Sequence, residues 1–213
     1  MGTIKQGVLG GFSGKVGTVI GFVRNGVACM RGLATSFTDA HTPAQVEQRA
    51  KFSLVVKFLR SMVALLRISY KSAAATMSGF NAAVSYTLAN GVTGIFPDLD
   101  IDYTKVLVSR GNLPGAMNPV AASTEVATID FTWENNAWDF GAKTTDKVVL
   151  VAYSPELNKA ITAIGAATRA LEAQAMVLPA SWSGKEVQTY IGFCTANESE
   201  FSNGEFLDAI LVL

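Results

Sequence analysis

Any chemistry built on imidazole has one residue to work with, because His41 is the single histidine among 213 residues. It sits between Asp39 and Thr42, ahead of a helical pattern, which reads as a loop or capping position rather than a base. Neither Gly11-Phe12-Ser13-Gly14 nor Ser181-Trp182-Ser183-Gly184 has the spacing of a Gly-x-Ser-x-Gly nucleophile elbow. The run Gly10 to Val16 approaches a phosphate-binding loop. It has three residues between Gly10 and Gly14 where the motif needs four, and Val16 stands where a hydroxyl must ligate Mg²⁺. Asp98, Asp100 and Asp102 share one face of an extended segment, with Leu99, Ile101 and Tyr103 on the other. That spacing opens like a calcium loop, yet Tyr103 occupies the position that requires glycine. Cys29 and Cys194 show no paired spacing and read as small hydrophobes. The expectation is a chain that is not an enzyme, with no catalytic residues, cofactor or metal.

Charge is the strongest remaining signal. Residues 1–97 hold ten Lys or Arg against two acids, a net +8, and residues 98–213 hold seven bases against fifteen acids, a net −8. Such halves attract within one chain, between copies, or toward an anionic partner. The cations of the first half concentrate on one helical ridge: Arg49, Ser53, Lys57, Arg60, Ala64, Arg67 and Lys71. Nucleic acid fits this ridge poorly, because no aromatics interleave it and the acidic half repels a polyanion. Instead, the carboxylates of Asp98, Asp100 and Asp102 suit the ridge, in the same molecule or in a neighbour.

The elements that carry these residues follow from pattern. Nine of nineteen glycines fall within residues 1–32 among β-branched and aromatic residues. Lys15 to Val23 alternates as a strand, Asn25-Gly26 supplies a tight turn, and Val27 to Arg31 returns. Gly17 and Gly21 either leave one face bare for another backbone to approach or serve turns and bulges of the ribbon itself. Thr42-Pro43-Ala44-Gln45 then starts a helix expected to reach about Tyr70. Its apolar arc is too wide for one layer, so two should flank it. A second helix, Ser78 to Leu88, ends at Asn90-Gly91 as a left-handed stop. Beyond Tyr103, seven strands are expected: Lys105–Arg110, Val126–Trp133, Lys147–Tyr153, Ala160–Ile164, Ala173–Leu178, Glu186–Cys194 and Glu205–Val212. Regular turn signals between them predict an antiparallel sandwich of immunoglobulin or fibronectin III type. Ile129, Phe131, Trp133, Val149, Val151, Tyr190, Gly192 and Cys194 are its inward candidates, Tyr190 in a position that suits a structural tyrosine. The all-apolar end, Ala209 to Leu213, must be covered or used.

Met1-Gly2-Thr3-Ile4-Lys5-Gln6-Gly7, Gly11-Phe12-Ser13-Gly14-Lys15-Val16-Gly17, Lys51-Phe52-Ser53-Leu54-Val55-Val56, Phe80-Asn81-Ala82-Ala83 and Val108-Ser109-Arg110-Gly111 together resemble a bacterial domain family of unknown function. The resemblance covers nearly the whole chain. It implies a bacterial origin and no assigned enzyme activity, and it brings no catalytic or ligand residues to carry over.

The reading as a whole is an α+β chain: a basic region at 1–97, with a Gly-rich β-hairpin and a helical hairpin, then an acidic β-sandwich at 98–213. Its expected role is structural. Copies associate head to tail into a homopolymer, because complementary but not self-complementary surfaces favour a heterologous contact. Gly17, Gly21, the ridge cations, the three Asp residues and Ile210, Leu211 and Val212 are the interface candidates. A terminal segment, Thr3 to Leu9 or Ala209 to Leu213, adds a strand to a neighbour's sheet. The rival is a monomeric glycan- or protein-binding module that uses Trp133, Trp138 or Trp182. The apolar stretch from Phe52 to Leu66 is broken by Lys57 and Arg60, so no membrane span is expected. The opening residues do not read as a secretory signal, which makes a non-Sec route the expectation for any role outside the cell.

Overall fold

The computed structural model describes residues 3–4, 11–24, 26–36, 39, 41–74 and 76–213. Lys5, residues 5–9 of the expected N-terminal arm, Gly10 and the turn residue Asn25 lie outside them. The chain forms two compact units, Met1–Thr42 and Pro43–Leu213. The boundary expected at Phe96-Pro97 is therefore corrected. Helices and strands that flank that peptide bond share one apolar core and cannot be separated.

The first unit is an antiparallel sheet of four strands in chain order: β1 (Thr3–Ile4), β2 (Phe12–Val16), β3 (Val19–Arg24) and β4 (Val27–Gly32). The single strand expected over Lys15–Val23 is two strands, with Val16 opposite Val19 and a reversal at Gly17, whose φ is +56°. Alternation conceals a two-residue turn of this kind, since the pattern resumes in phase on the far side. Arg24 pairs with Val27, as a two-residue hairpin turn requires.

The second unit begins with α1 (Pro43–Arg60) and α2 (Val63–Ser69). The one helix expected here breaks at Ser61, where its Oγ donates to the Phe58 carbonyl at 2.8 Å and competes with the ladder. α3 (Gly79–Asn90) is capped by Ser78, whose Oγ accepts from the Asn81 amide at 3.3 Å. Gly79 is where α3 meets α2: a Cβ there would lie 2.7 Å from the Leu66 carbonyl oxygen. Gly91 ends α3 at φ −104°, so the left-handed stop expected there is not used.

A small hairpin, β5 (Val92–Ile95) and β6 (Asp98–Ile101), follows, turning through a cis Phe96-Pro97 bond. Seven strands complete the chain: β7 (Met117–Ala122), β8 (Thr128–Glu134), β9 (Lys147–Ser154), β10 (Lys159–Thr168), β11 (Ala173–Val177), β12 (Glu186–Cys194) and β13 (Glu205–Leu211). They form two antiparallel sheets, ordered β10-β9-β12-β13 and β11-β8-β7. The strand expected at Lys105–Arg110 is instead the end of a 3-10 turn, Tyr103–Lys105, followed by an irregular segment bonded to the helices. Ser69 Oγ and the Tyr70 hydroxyl each donate, at 3.0 Å, to the carbonyls of Val108 and Leu107. Its place is taken by β7, which the sequence conceals because Pro119 falls in the bulge between Met117 and Val120.

Two cores result. Between helices and four-stranded sheet lie Val55, Phe58, Leu59, Met62, Leu66 and Tyr70 against Val149, Val151, Tyr153, Tyr190 and Cys194. Between the two sheets lie Ile129, Phe131 and Trp133 against Val148, Leu150, Ala152, Val187, Ile191 and Phe193. The inward candidates therefore belong to different cores. β9 and β12 are covered on both faces, which explains why nearly every residue in them is buried. Tyr190 is completely buried, and its hydroxyl donates to the Tyr103 carbonyl at 3.0 Å.

Candidate functional site

The basic ridge survives the break between α1 and α2. Arg49, Ser53, Lys57, Arg60, Ala64, Arg67 and Lys71 are all exposed, while the opposite side of the same helices forms the core. Near its middle the ridge borders a groove of about 590 Å³, lined by Phe52, Ser53, Val56, Lys57, Arg60, Ser61 and Asn158. Ser61 and Asn158 also line an adjoining depression with Lys159, Ser181 and Trp182. Three cations thus face this trough and none of its lining residues is acidic. Asn158, in the turn from β9 to β10, is held by the Tyr153 hydroxyl, which donates to its Oδ1 at 3.0 Å.

The three aspartates are not equivalent. Asp102 is engaged locally: Lys105 Nζ lies 2.7 Å from its carboxylate and Thr104 Oγ1 donates at 2.5 Å. Those two partners hold its carboxyl below the usual range. Asp100 accepts from the Ile101 amide at 2.8 Å, and Asp98 and Asp100 are exposed on β6. Among the described residues no group of three His, Cys, Asp or Glu is placed to hold a metal ion.

The C-terminal run is already part of a sheet. Ile210 and Leu211 pair with Val187 and Glu186, and the amide of Val212 donates to the Lys185 carbonyl at 3.1 Å. Val212 is buried, so it is corrected as an interface candidate, whereas Leu211 stays exposed and Ile210 half-buried. In the N-terminal sheet, Gly17 serves its turn and has open space beside it. The bare face of Gly21 is taken by the same chain: a Cβ there would lie 2.3 Å from the Phe12 carbonyl oxygen. Of the two roles open to these glycines, Gly17 takes the turn role and Gly21 lies against Phe12 of its own sheet.

Several apolar residues of this sheet are uncovered, while Phe12, Val19 and Ile20 are half-buried. Phe22, Val23, Val27 and Met30 are exposed, and Gly21 is the one buried residue described in its strands. His41, exposed at φ +44°, has its Nε2 3.4 Å from Asp39. Both cysteines are free, Cys29 half-buried in this unit and Cys194 buried in the other.

The tryptophans divide. Trp133 and Trp182 are core residues, while Trp138 is 70% exposed beside a fully exposed Phe140. Their loop, between β8 and β9, is pinned by a residue that no sequence pattern singles out. Arg169 is completely buried, with Nη1 donating to the Gly115 carbonyl at 3.0 Å and to Asn136 Oδ1, and Nη2 to the Pro114 carbonyl at 2.9 Å. Its Nε lies 3.3 Å from Asp146 and its guanidinium stacks 3.9 Å from the Phe193 ring centre. Burial pulls the guanidinium pKa down and Asp146 opposes that pull. Asp146 and Asn136 fasten the loop in turn, through the Lys143 amide at 2.8 Å and Asp139 at 2.8 Å.

A family model matches residues 11–208. The chain belongs to the DUF6266 family, a family of unknown function. Comparison with curated proteins returns no match. Among solved structures the family member is similar to the fn3 domain of human collagen alpha-1(XX) chain, at 11% identity and a TM-score of 0.33, over 49% of this chain and 89% of that one. No helix among the described residues is long and apolar enough to cross a membrane.

Proposed function

We propose that this chain is a non-enzymatic structural protein whose copies associate into a filament or larger assembly, the N-terminal sheet of one copy being covered by another. One observation carries the reading: a four-stranded sheet in which Phe22, Val23, Val27 and Met30 are exposed among the described residues. Val23 and Met30 are 65% and 73% exposed. Antiparallel sheets gain their stability from a packed face, and ribbons without one are marginal in water. The outer edge of β4 is also unpaired among the described residues, a template for strand addition. β13 is an edge strand as well, but Val212 at its end is buried whereas Val27 and Met30 of β4 are exposed, so our reading gives strand exchange to the N-terminal unit. The strand order of the two sheets in the second unit supports a fibronectin III-like sandwich as its frame.

Sedimentation velocity over a concentration series tests the reading. Species larger than one chain are expected to grow with concentration and to diminish in Met30→Asp. A single sharp monomer at every concentration overturns it.

A monomeric glycan- or protein-binding module is the second reading, favoured by Trp138, an exposed aromatic on a loop with buried anchors. Binding on a glycan array that disappears in Trp138→Ala, in a protein that never self-associates, would establish it.

A further inference from the structure

Resting on the assembly reading, we propose that the Trp138 loop of one copy docks in the Lys57/Arg60 groove of the next, giving the second unit a head-to-tail interface of its own. The two surfaces lie at opposite ends of the same strand. The Trp138 loop runs directly into the start of β9 at Lys147, and Asn158 of the groove lies in the turn just beyond its end at Ser154. Eight strand residues separate them by about 27 Å. Surfaces at opposite ends cannot meet within one copy, and a contact between them is heterologous, so it repeats from copy to copy, as a ring where the rotation closes and as a filament where it does not.

Their chemistry is complementary. The loop end presents Trp138 and Phe140 with the exposed carboxylates of Glu134, Asp139 and Glu172. The groove presents Lys57, Arg60 and Lys159, none of which has an acidic partner among the described residues, beside the half-exposed ring of Phe52. Aromatic faces attract Arg and Lys directly, and acids around them steer the encounter. The loop is also fixed before it binds, since Arg169 and Asp146 anchor its base. Little ordering entropy remains to oppose docking.

Because Trp133 and Trp182 are 3% and 2% exposed, acrylamide quenching of the full chain reads Trp138. As concentration rises and the wild type assembles, quenching of this tryptophan is expected to fall severalfold. In Lys57→Glu/Arg60→Glu it should stay at its dilute value, with circular dichroism unchanged because both residues are exposed. Trp138 that remains fully quenchable while the wild type sediments as an oligomer overturns this interface and leaves the assembly reading standing. Shielding that persists in the charge-reversed variant overturns the groove as its partner. A wild type that stays monomeric overturns both.

Discussion

The N-terminal sheet and the sheet at the centre of the second unit are built from similar residues and reach opposite ends of the burial scale. Val148 to Val151 in β9 are entirely buried, covered by helices on one face and by a second sheet on the other. Val23, Val27 and Met30 lie in strands of comparable length and stand in solvent. Strand formation therefore does not depend on burial in this chain, but stability must, because paired backbone alone gains little over hydration. One sheet is complete in a single copy. The other leaves Val23, Val27 and Met30 exposed, and it is this surface that the proposed assembly would cover.

Matched substitutions give the sharpest break. Val151→Asp places an unpaired charge between helices and sheet and should cost about 4 kcal/mol or more, unfolding the second unit in denaturant titrations. Val23→Asp should leave that transition within about 0.5 kcal/mol and act on association instead. Equal effects from the two would abolish the distinction. Next in size, Arg169→Ala strands the buried Asp146 carboxylate and should cost about 3–5 kcal/mol by the same titration, releasing the Trp138 loop as well. A smaller and more local difference concerns the thiols. Burial pushes Cys194 up to about 11, whereas Cys29 is half-buried in the open sheet. Near pH 8 a thiol reagent should label Cys29 in dilute protein and spare Cys194 until denaturant is added. Early labelling of Cys194 would show the second unit to be less closed than its burial implies.

The legible parts of this chain are those with a local cause. Six of the seven strands expected after Tyr103 are present, and Glu186–Cys194 has the bounds read from its pattern. The helices were legible as amphipathic elements, though not the break at Ser61, which needs a side chain bonded back to its own turn. What pattern cannot give is partnership between distant segments. Lys105–Arg110 has strand composition, yet its carbonyls are claimed by Ser69 and Tyr70. The domain boundary failed for the same reason. Counted by structural unit, residues 1–42 hold four bases and one acid, a net +3, and residues 43–213 hold thirteen bases and sixteen acids, a net −3. Most of the contrast between the two halves thus lies within one folded body, whose helices meet its strands through apolar side chains. The ridge was readable because helical spacing displays it. Its groove was not, because Asn158 and Lys159 reach it from a turn about a hundred residues away.

Hydrogen exchange of the full chain at two concentrations, one below and one above the onset of association, tests the central claim most directly. The account predicts rapid exchange across residues 12–32 when dilute and marked protection when concentrated, with β9 and β12 protected in both. Identical exchange in residues 12–32 at the two concentrations would contradict it.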